Sequence, residues 1–254
     1  IAYNVDSFGH AATLPDIMRA YGQSHYVMMR PQEHEMALPA RLFRWRGLDG
    51  GEVTAFRIAG AYCTSKGITA DHIENSLTEL PAGINHTMCF VGVGDHGGGP
   101  TESMIEWCRE HQNQFKGVRL VFSSPGRFFR AIRNQEKSLP IVSGELQHHA
   151  IGCYSVHRPV KLSLKNTEEL LGRAERALAA DKPLAARYRA DMKKAWEWTC
   201  FTAFHDTMGG TCLPSAYRQV DWQIGSAACT ADTVLSLRLR RLMLALPPDP
   251  KQRI

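Results

Sequence analysis

The chain has 254 residues, 44% of them hydrophobic and 22% charged, with a formal net charge of +5. That balance describes an ordinary globular protein with material for one or two domains. It speaks against a membrane protein, because no apolar run approaches the length that crosses a bilayer. No basic leader followed by an apolar stretch is visible. Ile1 is not an initiator methionine and the chain opens inside an element, so it reads as a fragment or excerpt. The basic cluster Arg238, Arg240 and Arg241 reads as a solvated helix face rather than a nucleic-acid surface. The seven cysteines form no CxxC pair and are odd in number. Buried free thiols in a reducing, cytoplasmic setting fit that better than a disulfide framework.

Ile1 to Val5 reads as the end of a buried strand, followed by Asp6 on a turn that needs glycine. Leu14 to Tyr21 reads as a helix with Pro15 in its first turn, stopped by Gly22. Tyr26 to Met29 is the next strand, which makes a βαβ unit and predicts a parallel sheet. Leu42 to Trp45 and Glu52 to Ile58 flank the turn Leu48-Asp-Gly-Gly51 as a hairpin. Residues 69 to 80 are helical by pattern, and Met88 to Val93 reads as a buried parallel strand. Thr101 caps a helix from Glu102 to about Gln112. Gly117 to Phe122 reads as a further strand, then a helix carries Phe128, Phe129 and Ile132. Pro140 to Leu146 is extended.

After about residue 160 the pattern becomes purely helical. One helix is expected from Asn166, with Glu169 closing a capping box. The second starts at Pro183, and the third runs from near Pro214 to Pro247-Pro248. The predicted fold class is therefore α/β, with an α/β domain over residues 1–160 and a three-helix bundle over 161–254.

Three stretches gather acids and histidines on glycine-marked turns: Asp6-Ser-Phe-Gly-His10, Gly94-Asp-His-Gly-Gly-Gly-Pro-Thr101, and His205-Asp-Thr-Met-Gly-Gly-Thr211. Two carboxylates on different strand ends suit nucleophilic and acid/base work, and a carboxylate with an imidazole suits zinc. Plainer roles compete with these. Asp6 can be a cap, the glycine run a flexible turn, and His205-Asp206 a helix C-terminus. His148-His149 reads more readily as a solvated pair than as ligands. The glycine run lacks the GK[ST] ending of a phosphate loop.

In combination and in this order, the three stretches resemble the glycoside hydrolase family 38 α-mannosidases, in their bacterial or cytosolic branch. The resemblance spans nearly the whole chain. It implies a truncated (β/α)7-barrel-like catalytic domain followed by a middle helical domain. It implies zinc-dependent, retaining hydrolysis of terminal α-mannosyl residues from mannose-containing oligosaccharides. Asp6 matches the nucleophile and a zinc ligand, and Asp95 the acid/base. His205 matches a second zinc ligand. Phe8, Arg30 and Asp206 match residues that line the sugar site. His96 stands where that branch commonly has glycine. The family's other two zinc ligands form a His-x-Asp pair on an earlier strand, expected upstream of residue 1. On this reading the chain alone is inactive, contacts neither nucleic acid nor membrane, and leaves a homo-oligomer open. The rival readings are a metal-dependent carbohydrate deacetylase and a non-catalytic carbohydrate-binding or structural piece.

Overall fold

The computed structural model describes residues 1–64, 67–95 and 97–247. His96 and Pro248, named above, lie outside the described residues. The chain divides into two compact units, Ile1–Ile151 and Gly152–Ile254, where the sequence pattern set the change near residue 160.

The first unit is built on a mixed sheet. Its strands are β1 (Ala2–Asn4), β2 (His25–Met28), β3 (Leu42–Arg46), β4 (Glu52–Arg57) and β5 (Ile141–Ser143), in the order β1-β2-β4-β3-β5. β1 and β2 pair in parallel, as do β2 and β4, while β3 and β4 form the antiparallel hairpin expected from the Asp-Gly-Gly turn. Asp16, in α1 (Leu14–Ala20), closes that turn by accepting the Gly51 amide at 2.8 Å and the Asp49 amide at 3.1 Å. A Cβ on Gly47 would sit 2.2 Å from the same carboxylate, which is why the turn is built from glycine.

The pleat of β2 sends its side chains alternately to the two faces. Val27 and Met29 join a core with Leu42, Phe56, Phe128, Phe129 and Ile132, the last three from α4 (Pro125–Ile132). Tyr26 and Met28 join Met18, Phe43, Trp45 and Leu146 on the other face. Helices α2 (Ala70–Leu77) and α3 (Glu102–Glu110) form where expected, and Thr101 accepts the Met104 amide at 3.3 Å as the cap of α3.

Three expectations are corrected in this unit. β1 is a half-exposed edge strand rather than a buried one, with Tyr3 51% exposed. Met88 to Val93 is not a strand. Met88 is buried, but the backbone partners of the segment come from loops: Gly92 exchanges hydrogen bonds with Thr64, and the Val93 amide donates to the Gly99 carbonyl. Gly117 to Phe122 is not a strand either, and Val121 and Phe122 are exposed. An apolar run becomes a strand only when a sheet edge receives its amides and carbonyls.

The second unit consists of α5 (Arg158–Ala179), α6 (Lys182–Thr202), the short α7 (His205–Gly209) and α8 (Pro214–Leu244). The three long helices share a core of Leu171, Ala174, Leu178, Leu184, Met192, Ala195, Ala227, Ala231 and Val234. A second cluster, Val160, Leu164, Tyr217, Val220 and Ile224, extends α5 eight residues upstream of the expected Asn166 start, so the supposed capping box lies inside the helix. Asp181 caps α6 by accepting the Leu184 amide at 3.1 Å and also pairs with Arg238 at 3.5 Å and Arg241 at 3.0 Å. Those two arginines therefore hold a helix junction rather than a merely solvated face. All seven cysteines are free and none is fully buried. No helix among the described residues is long and apolar enough to cross a membrane.

Candidate active site

Parallel pairing assembles the site. In register, Asn4 faces Met28 and Met28 faces Arg57, so the chains leaving β1, β2 and β4 emerge side by side at one edge of the sheet. They carry Asp6, Arg30 and Tyr62 respectively. Arg30 Nε and Nη2 both lie 2.9 Å from Asp6 Oδ1. The Asp6 side chain is 44% exposed, so the pair sits at an open surface rather than in the core.

Arg30 is fixed from three sides. Its guanidinium lies over the Phe8 ring, 5.3 Å from the centroid. Its Nη1 donates to His149 Nε2 at 2.8 Å, and His149 Nδ1 in turn donates to Glu35 Oε1. The His149 ring meets Phe8 edge-on at 4.9 Å. The Arg30 backbone carbonyl accepts from His10 Nε2 at 2.8 Å, and the Tyr26 hydroxyl donates to His10 Nδ1 at 2.8 Å. His10 is 2% exposed; burial lowers its pKa against the opposing hydrogen bond to Arg30. Burial likewise pushes the Tyr26 hydroxyl up to about 12.

Two buried arginines anchor the loop bearing Glu35. Arg41 Nη1 donates to Glu33 Oε1 at 3.0 Å, and Arg57 Nη1 to the Met36 carbonyl at 2.8 Å. Burial raises the pKa of Glu35, but the Gln32 amide and His149 outweigh that and hold it below the usual carboxylate value.

Asp95 meets this group through Tyr62. The Tyr62 hydroxyl is hydrogen-bonded to the Asp95 backbone, and its pKa is raised by burial and then by the charges of Asp6, Cys63 and Asp95. The hydrogen bond to the Asp95 backbone opposes that rise without cancelling it. Asp95 adopts a left-handed backbone, φ 66°, and is exposed. The loop around it depends on glycine: Gly98 has φ 139°, and a Cβ there would meet the Val93 carbonyl oxygen at 2.4 Å. Gly94 packs so closely that a Cβ would lie 2.4 Å from Cys63 Cβ. Gly9 serves close approach rather than an unusual dihedral, since Gln147 passes over it and donates to the Phe8 carbonyl at 3.3 Å.

The structure therefore brings together Asp6, Phe8 and Arg30, with Asp95 linked to them through Tyr62. His205 and Asp206 lie in the second unit, at the start of α7 rather than at a helix C-terminus. His205 Nε2 is 3.7 Å from Asp206 Oδ1, which also accepts from Thr211 Oγ1 at 3.0 Å. Among the described residues, no group of three or more His, Cys, Asp or Glu is gathered to hold a metal. Asp6 and His205 are donors of the right type for zinc but do not by themselves supply its four ligands.

Sequence reasoning missed Tyr62, Glu35 and His149. The first two had no motif around them. His149 was visible beside His148, but only one of the pair turns inward: His148 is exposed while His149 contacts Arg30.

A family model for the glycosyl hydrolases family 38 N-terminal domain matches residues 1–150. The chain is 28% identical over 215 residues to alpha-mannosidase 2C1 of Mus musculus, covering 82% of this chain and 21% of that protein. It is 25% identical over 249 residues to alpha-mannosidase 2C1 of Homo sapiens, covering 95% and 24%. Among solved structures, an alpha-mannosidase from Enterococcus faecalis V583 superposes with a TM-score of 0.60 at 18% identity, covering 96% of this chain and 30% of the other. The chain thus spans about a quarter of the length of the curated relatives it matches.

Proposed function

Because the chain belongs to glycosyl hydrolase family 38, we propose that it is the part of an α-mannosidase that carries the nucleophile, the acid/base and two zinc ligands. The observation that carries this reading is the Asp6–Arg30 pair where the chains leave β1 and β2, with two guanidinium nitrogens on one carboxylate oxygen. On this reading the first unit belongs to a barrel-like catalytic domain and the second is a three-helix bundle.

A retaining glycosidase places two carboxyl groups roughly 5–5.5 Å apart across the scissile bond. Asp6 attacks the anomeric carbon while the Asp95 carboxyl protonates the departing glycosidic oxygen, leaving a mannosyl ester on Asp6. The Asp95 carboxylate then takes a proton from water, which displaces Asp6 and releases mannose with its α-configuration retained. Arg30 keeps one oxygen of Asp6 engaged, so the other is the attacking oxygen. Phe8, beneath the guanidinium, offers an apolar face to the sugar. Zinc, when bound, supplies Lewis-acid grip on sugar hydroxyls. Asp6 and His205 are each donors of a type that zinc takes, and Asp206 is proposed as a sugar contact. The proposed substrates are mannose-terminated oligosaccharides, and the free thiols support a cytoplasmic location.

The full-length protein should release the aryl alcohol from an aryl α-mannoside, and Asp6→Asn should abolish that release. Full activity in the variant, or none in the wild type, would refute the assignment.

A further inference from the structure

At the opposite edge of the sheet from Asp6 lies a cavity of about 410 Å³, lined by Ser24, His25, Gly126, Phe129, Arg130, Arg133, Glu136 and Ile1. His25 opens β2, whereas Arg30 follows its end, so this cavity and the candidate active site are separated by the length of the strand.

The charges of the cavity do not cancel, since Arg130 and Arg133 face one carboxylate, Glu136. Glu136 Oε1 accepts from His25 Nε2 at 3.2 Å and Oε2 from Thr54 Oγ1 at 3.1 Å. Ser24 Oγ donates to His25 Nδ1 at 2.9 Å, and the His25 ring rests on Phe129 at 4.4 Å. This network orders the inner wall and holds Glu136 towards His25 and Thr54. Arg130 and Arg133 stand one turn apart where α4 runs into the following 3-10 turn, and both are exposed. Neither has a hydrogen-bond or ion-pair partner among the described residues. Two unpaired guanidiniums at the mouth of a cavity with an aromatic wall fit an anion with an organic body. Guanidinium forks match phosphate oxygens, and a volume of this size exceeds what a bare phosphate fills.

We propose that this cavity is a second ligand site, which binds phosphomonoesters through Arg130 and Arg133, with the organic group against Phe129 and His25. It is independent of glycoside cleavage.

The test uses the full-length protein and isothermal titration calorimetry with inorganic phosphate and with phenyl phosphate. Both should bind, phenyl phosphate the tighter because of the aromatic wall. Arg130→Gln with Arg133→Gln should weaken both by about tenfold or more, as expected for loss of charge-assisted pairs, while activity on an aryl α-mannoside is unchanged. Arg133→Gln alone should weaken binding less. Absence of binding by either probe, or equal binding in the double variant with an unchanged circular dichroism spectrum, overturns the proposal. Tighter binding of inorganic phosphate than of phenyl phosphate would overturn the organic part of it. If the double variant does not fold, the single variant decides.

Discussion

Arg30 grips Asp6 through two nitrogens converging on one oxygen, Nε and Nη2 each 2.9 Å from Oδ1. A lysine cannot reproduce that fork, because its ammonium is a single point on a flexible stem. We predict that Arg30→Lys in the full-length protein lowers kcat/KM on an aryl α-mannoside by about 100-fold. The loss should fall on kcat, since the attacking carboxylate is misplaced while the substrate's other contacts remain. A variant within threefold of wild type would show that the pair is not catalytic.

Glu35 and His149 act on Asp6 only through Arg30, as positioning residues. His149→Phe removes both the acceptor for Arg30 and the donor to Glu35. We predict about a tenfold fall in kcat with little change in KM. His149→Gln should recover part of it, because the amide can offer an acceptor to Arg30. Equal loss in both variants would argue for packing against Phe8 instead.

His10 makes folding stability depend on pH. Its folded pKa is depressed, chiefly by burial, below the ordinary value of 6.5. Between those two values the unfolded chain binds the proton and the folded one does not. The stabilisation is complete above pH 6.5 and is lost as pH falls through that value towards the folded pKa. Urea denaturation from pH 7.5 to pH 5 should show this slope, and His10→Gln should flatten it. An unchanged slope in the variant would assign the effect to other groups.

Asp181 joins two helices of the second unit. Asp181→Ala removes a cap and both arginine partners, for an expected cost of about 2 kcal/mol. Asp181→Asn keeps the cap and should cost less than about 1 kcal/mol, since Arg241 is 47% exposed and its ion pair is well screened. Chemical denaturation of the two variants checks the order, and a larger loss for the asparagine would make charge pairing the dominant role.

The legible part of this molecule was its local part. The β1–α1–β2 unit, the Asp-Gly-Gly hairpin and the Thr101 cap each depend on a few neighbouring residues, and each formed as the pattern indicates. Met88 to Val93 and Gly117 to Phe122 failed because strand formation needs an edge contributed by distant residues, which hydrophobicity does not encode. The site divides in the same way. Asp6, Phe8 and Asp95 sit in compact motifs. Tyr62, Glu35 and His149 reach the site from separate loops, through the parallel register and through Arg41 and Arg57 holding residues 33 and 36. His205 was legible as a residue type suited to zinc, but no single stretch gathers the donors that a metal site needs.

The central claim is that Asp6 is the nucleophile. Full-length protein should be treated with a fluorinated mannosyl fluoride that slows release of the glycosyl enzyme, digested, and analysed by mass spectrometry. The account predicts one mannosyl-derived adduct, on the peptide containing Asp6 and localised to that carboxylate. Turnover of an aryl α-mannoside without any adduct, or an adduct on another carboxylate such as Asp95, would contradict it.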